Sequence, residues 1–343
     1  MKRKTGREPL PGSSGAGAVQ KTHPPGVLCF GNLVVDTLAR PVVLNAVRWD
    51  ATVWVDALEQ QIGGNGANTS FTLATLGVPV RLVGAVGDDS FGEFVTGRLA
   101  NAGVDVAHVA RLQAPTPATI ALVREDGARA LLHRPGASAE AFAELPELTP
   151  NLIAGCTVFH LANPFGLPNM RAHAARAQRR AQAAGLFTTM DTGWDSRGEW
   201  MQVVSASLAE TDLLFTNGDE ASALTGCADA DCAARALRES GAKTVVVKLG
   251  GRGCLVADEA GIAHLPAFAV TALDTTGAGD CFVGGFLAAF LRGAGCREAA
   301  RFANAVGALS VQRMGATAGL RGFDETLAWM DGPAAQAAFP LAP

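Results

Sequence analysis

Asp274-Thr275-Thr276-Gly277-Ala278-Gly279-Asp280, running on through Cys281-Phe282-Val283-Gly284-Gly285-Phe286-Leu287-Ala288-Ala289-Phe290, joins a flexible turn, a helix start and an acid. Phe282, Val283, Phe286, Leu287 and Phe290 recur at helical spacing, which predicts a helix that begins near Gly279 and buries one side. The glycines then lie at its N-terminus, where the first backbone N–H groups lack intrahelical partners and the macrodipole is positive. An anion can come close to that backbone because Gly277 and Gly279 carry no side chain. With Asp280 facing whatever binds, the stretch can hold a phosphate and take a proton. A glycine-rich turn capped by an aspartate explains the same residues, so two readings stay open here.

Far upstream, Gly63-Gly64-Asn65-Gly66-Ala67-Asn68-Thr69-Ser70 again feeds a helix, through Phe71, Leu73, Ala74 and Leu76. Two asparagines in so short a window supply the donors and acceptors that hydroxyl-rich ligands need. A plain helix start with Asn as cap is the other reading. Val80 to Gly92 reads as a strand ending in a turn, followed by a helix through Val95 and Leu99. Further on, the apolar runs Thr157 to Leu161 and Leu186 to Asp191 bracket an alanine-rich helical segment, Met170 to Ala184. That alternation predicts a mostly parallel sheet with helices on both faces. Asn163 and Asp191 then end strands on the ligand side, although loop polarity alone accounts for both.

The stretches Gly63 to Gly92 and Asp274 to Gly285 resemble the two signature regions of the PfkB, or ribokinase-like, family of carbohydrate kinases, in the same order and at a similar separation. The resemblance covers roughly Val27 to Gly322. It implies an α/β fold: a three-layer α/β/α sandwich with a mostly parallel central sheet and a small β-strand lid. It also implies ATP as phosphoryl donor, Asp280 as the base that takes the proton of a substrate hydroxyl, and an anion hole from the backbone of Gly277, Ala278 and Gly279. Phosphoryl transfer needs positioning and charge neutralisation more than covalent chemistry, so a base, an anion hole and a metal cover most of the requirement.

Other site residues carry over on the same footing. Asn217 and Glu220 look like the family's N-x-x-E pair, which helps hold Mg²⁺ through water, though Asn followed three residues later by Glu is also a capping box. The nucleotide is expected beside Lys248, Gly250, Gly253, Thr275 and Asn304. Lys248 departs from the threonine of ribokinases and reads equally as a solvated strand end, and Asn304 reads equally as an exposed polar residue on a helix. Asn32, Asp36, Gly63, Gly64, Asn65, Asn68 and Asn163 are the expected substrate residues, with Val27 to Asp36 read as one buried first strand ending in an acid. Possible K⁺ donors lie near Asp274 and Thr276 and near Ser310, Arg313 and Gly315.

Segments 42–61 and 118–133 look like hairpins that form the lid and a homodimer interface. Trp49, Trp54 and His133 there are candidate ligand contacts, core or interface residues. Arg134 is either a partner for a sugar-acid carboxylate or a solvated arginine.

The 343 residues, 48% hydrophobic and 17% charged, can bury a large core, and a net charge of −4 gives no general affinity for nucleic acid. Seven cysteines form no C-x-x-C pair, which suits reduced thiols in a cytoplasm and excludes a structural zinc site of that type. Residues 1–26 read as a disordered tail without a signal-peptide core, residues 27–330 as one kinase domain, and residues 331–343 as a loosely held end. No run of about 18 apolar residues predicts a membrane span. The chain is thus expected to be a cytoplasmic, Mg²⁺-assisted sugar kinase acting on a ribose, fructose or 2-keto-3-deoxy sugar-acid type of substrate. A nucleoside kinase with Trp54 or Phe165 as aromatic clamp, or a non-catalytic sugar-binding protein, are the alternatives. A Rossmann dehydrogenase is disfavoured because no G-x-G-x-x-G follows the first strand.

Overall fold

A computed structural model describes residues 25–43, 47–125 and 129–332. Its main body is a nine-stranded sheet in the order β13-β12-β11-β10-β9-β8-β1-β4-β5. In chain order these strands are β1 (Gly26–Phe30), β4 (Val80–Gly87), β5 (Asp105–Leu112), β8 (Cys156–Ala162), β9 (Phe187–Asp191), β10 (Leu213–Asn217), β11 (Thr244–Lys248), β12 (Cys254–Asp258) and β13 (Gly261–Leu265). All neighbours run parallel except the β11–β12 and β12–β13 pairs.

Helices cover both faces: α1 (Asn65–Thr75), α2 (Ser90–Asn101), α3 (Pro150–Ile153), α4 (Met170–Ala183), α5 (Met201–Leu208), α6 (Gly218–Thr225), α7 (Ala230–Glu239), α8 (Ala278–Phe290), α9 (Cys296–Ser310) and α10 (Phe323–Met330). Burial on both sides explains why the central strands are continuous apolar runs. Val27 and Cys29 point into one core with Phe215, Val246 and Phe286, while Leu28 and Phe30 point into the other with Phe159, Leu214 and Val245. The two-residue period of the strand sorts alternate residues between the two cores.

A second sheet of four strands, β3-β2-β6-β7, stands apart as the lid: β2 (Val34–Arg40), β3 (Ala57–Gly63), β6 (Ala118–Val123) and β7 (Arg129–Arg134). Its inner face buries Leu38, Ala121 and Val123 with Met314 packed against them. Leu58, Ile120 and Leu132 share the opposite face, Ile120 directly opposite Leu132 and Leu58 two residues out of that register, and are exposed by 70%, 46% and 61%.

Three expectations need correction. Val27 to Asp36 is not one strand: β1 stops at Phe30, and Gly31-Asn32-Leu33 carries the chain out of the main sheet into β2, which places Asp36 in the lid. A side chain at Gly31 would run into Gly66, so the chain turns away where α1 presses on it. Segment 42–61 is not a hairpin either. Val53-Trp54-Val55 has no strand partner, and the lid strand expected there is β3, paired antiparallel with β2. Lastly, Cys227 and Cys232 form a disulfide across the α6–α7 turn, at a Cα separation of 5.9 Å, so the thiols are not all free; Cys29, Cys156, Cys254, Cys281 and Cys296 are.

Strand β1 already begins at Gly26, inside the segment expected to be a tail; the rest of that segment that precedes Pro25, the Asp126-Gly127 turn of the lid and residues 333–343 lie outside the described residues. Among the described residues no helix is long and apolar enough to cross a membrane.

Candidate active site

The parallel strands deliver their last residues to one edge of the sheet. Strand β9 ends on Asp191, β10 on Asn217 and β11 on Lys248, and Asn163 directly follows β8. Ligands of open α/β sheets bind at such carboxyl ends. Here a cleft of about 690 Å³ is lined by Asn65, Asp191, Asn217, Glu220, Lys248, Gly277, Gly279, Asp280 and Asn304, among others.

Helix α8 enters this cleft by its N-terminus. Gly277 adopts φ 67°, the left-handed conformation that a glycine takes without strain, and turns the chain into the helix. The first-turn N–H groups of α8 therefore meet the cleft with the positive end of the helix dipole, worth roughly half an elementary charge. Asp280 lies in that first turn and is 6% exposed. Asn65 Nδ2 donates to its Oδ1 at 2.7 Å, and Asn68 Nδ2 donates to its Oδ2 at 2.9 Å. Burial raises the carboxyl's proton affinity, while the Asn68 hydrogen bond, the Lys248 charge and the Asn65 hydrogen bond oppose that rise; the net effect is a raised pKa.

Lys248 contradicts the reading of a solvated strand end. Its side chain is 13% exposed and its Nζ bridges both Asp191 oxygens at 2.9 and 2.8 Å. A methyl group on Gly279 would sit 3.3 Å from that Nζ, so the ammonium stands beside the N-terminus of α8. The local charge is net negative, since Asp191, Glu220 and Asp280 surround one lysine. Accordingly Asp191 is pushed up to about 7, by burial first, with Lys248 opposing and Glu220 adding to it. Burial alone would lower the Lys248 pKa, but Asp191, Glu220 and Asp280 more than reverse this and keep it charged.

Asn217 and Glu220 do form the capping box of α6, each side chain bonding the other's backbone N–H. The cap does not exhaust the carboxylate. Asn217 N–H, Thr192 Oγ1 and Thr216 Oγ1 all donate to Glu220 Oε2, which leaves Oε1 of this cleft-lining residue for a cation's water shell. Hard oxygen donors of this kind fit Mg²⁺, which keeps much of its hydration. Among the described residues no group of three His, Cys, Asp or Glu side chains is placed to hold a metal directly, so the fit is to a hydrated ion shared with a ligand.

Within the lid, Asp36 reaches Gly63, where any β-carbon would fall 2.0 Å from its Oδ2. Burial raises the Asp36 pKa against the Thr119 hydrogen bond. Asn32 Oδ1 and Asn68 Oδ1 are buried acceptors with no hydrogen-bond partner. Such orphans cost about 1–3 kcal/mol each, and both atoms are closed off from solvent. Asn65 and Asn163, both expected among the substrate residues, bond to each other at 2.8 Å.

Asn304 is buried, not exposed: its Nδ2 donates to Leu265 O and Pro266 O at 3.2 and 3.0 Å, pinning the end of β13 beside the cleft. Thr275, Gly250 and Gly253 line the same side.

Asp274 is held below the ordinary carboxylate range by hydrogen bonds from Thr276 and Gly315, which outweigh its burial. The guanidinium of Arg129, on lid strand β7, lies 3.7 Å from Asp274 and bonds Thr276 Oγ1. Nothing in the sequence signalled this contact, because a lone arginine on a strand has no pattern. Trp49 and Trp54 are 97% and 90% exposed, His133 bonds Thr119, and Arg134 donates to Thr116 O. Phe165 is buried edge-on against Trp200.

A model of the pfkB family carbohydrate kinases matches residues 27–321. An ATP-dependent ribose-1-phosphate kinase of Halopiger xanaduensis is 33% identical over 292 residues, covering 81% of this chain and 94% of that protein. A probable fructokinase of Arabidopsis thaliana is 29% identical over 308 residues, 85% of this chain and 93% of its own. The crystal structure of a ribokinase from Thermotoga maritima superposes with a TM-score of 0.76 at 26% identity, over 90% of this chain and 100% of that one.

Proposed function

The chain belongs to the pfkB family of carbohydrate kinases, and from that premise we propose that it moves the γ-phosphoryl group of ATP to a hydroxyl of a small neutral sugar. One observation carries the reading: a buried carboxylate and a helix N-terminus that can hold an anion open side by side into one cleft. The hydroxyl oxygen attacks the γ-phosphorus, its proton passes to Asp280, and the bond from phosphorus to the β–γ bridging oxygen breaks to release ADP. First-turn N–H groups at Gly277, Ala278 and Gly279 receive the equatorial oxygens, with Lys248 alongside. Asn217 and Glu220 would hold Mg²⁺ through water, and the ion when bound neutralises phosphate charge. For K⁺ the donors are the backbone around Thr276, Ser310, Arg313 and Gly315, since the Asp274 carboxylate is already shared by Thr276, Gly315 and Arg129.

Asn32, Asp36, Gly63, Gly64 and Asn68 supply the sugar pocket. Its two carboxylates, Asp36 and Asp280, favour a hydroxyl-rich, uncharged acceptor over a sugar acid. The exposure of Trp54 and the packing of Phe165 favour a sugar over a nucleoside base. The exposed row Leu58, Ile120 and Leu132 supports a homodimer through the lid.

ADP release from Mg·ATP across pentoses, hexoses, sugar acids and nucleosides tests the reading. Turnover is expected on a neutral sugar and should fall by about 10²–10⁴ in Asp280→Asn, the range for losing a general base. Nucleotide binding with no turnover on any acceptor would point to a binding protein instead.

A further inference from the structure

We infer that Asn163 is a positioning residue for the catalytic base: it fixes the orientation of the Asn65 amide so that Asn65 donates to Asp280. The inference rests on the reading of Asp280 as base, but its geometry stands independently of any substrate.

The two ends of an asparagine amide are nearly isosteric, so which end points where must be settled by an unambiguous partner. Here the partner is a backbone group. Gly166 N–H, which can only donate, lies 2.9 Å from Asn163 Oδ1. That fixes Asn163 with its oxygen toward Gly166 and its Nδ2 toward Asn65, whose Oδ1 accepts at 2.8 Å. Asn65 in turn presents its Nδ2 to Asp280 Oδ1 at 2.7 Å. The orientation is thus transmitted over two side chains, from a short 3₁₀ turn at Pro164–Gly166 to the first turn of α8. Asn163 holds φ 54° and ψ 68°, a left-handed conformation that Asn adopts more readily than most side-chain-bearing residues, and its own N–H is tied to Asp191 O at 2.9 Å.

The consequence is chemical. If Asn65 turned over, its carbonyl oxygen would face the carboxylate and favour a proton on it. The relay therefore keeps the buried acid ionised and ready to accept a proton from the acceptor hydroxyl. Asn68, which bonds the other Asp280 oxygen, has no such anchor: its Oδ1 is one of the orphaned acceptors. One arm of the base is locked through a backbone donor, and the other is not.

Direct titration of the Asp280 carboxyl in the ligand-free protein tests this without any sugar. Proteins labelled with ¹³C at aspartate carboxyls, with the Asp280 signal identified by its loss in Asp280→Asn, are titrated by NMR. Asn163→Leu removes the anchor at similar size, and the midpoint is expected to rise by about one unit, a tenfold gain in proton affinity. Asn163→Asp can still accept from Gly166 but cannot donate to Asn65; its new charge raises the midpoint by itself, so if the leucine variant does not fold the relay is read from how far this shift exceeds that of the same substitution in an Asn65→Ala background. In an Asn65→Ala background the Asn163→Leu step should add nothing. An unmoved midpoint in a folded variant overturns the inference. An equal shift with Asn65 absent overturns it as well, because Asn163 would then act by another route. Once an acceptor is known, the acid limb of kcat should move with the midpoint. A raised KM with that limb unmoved would instead make Asn163 a simple sugar contact. Absence of turnover on every acceptor, with the NMR shift intact, would remove the kinase reading and leave the relay standing.

Discussion

Lys248 carries its charge into the most acidic corner of the cleft, and its value there follows from what surrounds it. With Asp191, Glu220 and Asp280 close by, removing the ammonium leaves Asp191 unpaired between like charges. Breaking a dry buried pair costs about 3–5 kcal/mol. Water in the cleft reaches this one, so Lys248→Met is expected to cost about 2 kcal/mol in urea unfolding. The same substitution in an Asp191→Asn background should cost much less, because no charge is then stranded. Its effect on kcat should be about 10²–10³, as for removal of an oxyanion donor. Asp280 supplies a second test. Its folded pKa lies above the ordinary 3.8, and a base works only when ionised, so activity should climb with pH through that raised value. A pH–rate profile whose acid limb stood at or below 3.8 would argue against Asp280 as the base. At this scale the sequence was legible where residue type dictates chemistry: the acid after the glycines, the asparagines after Gly64. It did not reveal that Lys248 faces inward, because Thr244 to Lys248 alternates identically whether its last residue meets solvent or a carboxylate.

Between elements, the site depends on how closely α1 lies on α8. Asn65 and Asn68 stand in the first turn of α1, and both reach Asp280 in the first turn of α8. Gly284 sets that distance, since a β-carbon there would lie 2.7 Å from both Thr72 Cβ and Cγ2. Thr72 is itself fully buried and bonded to Asn68 O, so it cannot step aside cheaply. Gly284→Ala is expected to lower stability by about 1–3 kcal/mol, as overpacking does. It should also cut kcat more than it raises KM for ATP, because it separates the asparagines from the base and leaves the nucleotide side in place. Equal loss in both would mean the helices part as a unit. The helix itself was readable from its apolar spacing and its start is within one residue of expectation. The reason for a glycine at position 284 was not readable, because it depends on a helix more than 200 residues earlier in the chain. Lid strand β3 failed for a related reason: Ala57-Leu58-Glu59-Gln60-Gln61 becomes a strand by pairing with β2, whereas the more β-prone Val53-Trp54-Val55 finds no partner.

Across the whole molecule, the two sheets divide the chemistry. On the proposed reading the main sheet supplies base, anion hole and metal ligands from strand ends and helix starts, and the lid brings Asp36 and Arg129 to the other side of the acceptor. Arg129 joins the lid to Asp274 and Thr276, immediately before the anion-hole glycines, so lid position and anion-hole geometry are mechanically linked. The lid buries only a small cluster of its own, Leu38, Ala121 and Val123, which is little core for four strands. Its outer face meanwhile leaves Leu58, Ile120 and Leu132 in solvent, with Ile120 directly opposite Leu132 and Leu58 on the same face two residues out of that register. An apolar row of that kind on a thin sheet is best satisfied by a second copy of the same face. Ile120→Lys, in the middle of the row, should therefore convert a dimer to a monomer in sedimentation equilibrium while leaving the main-sheet cores intact. Because a monomeric lid loses its support, KM for the sugar should rise several-fold with kcat less affected. If the wild-type chain sediments as a monomer at micromolar concentration, the row serves something other than self-association, and the lid holds its shape through its contacts with the main body, Val35 and Ile62 in the core and Arg129 and Met314 beside it.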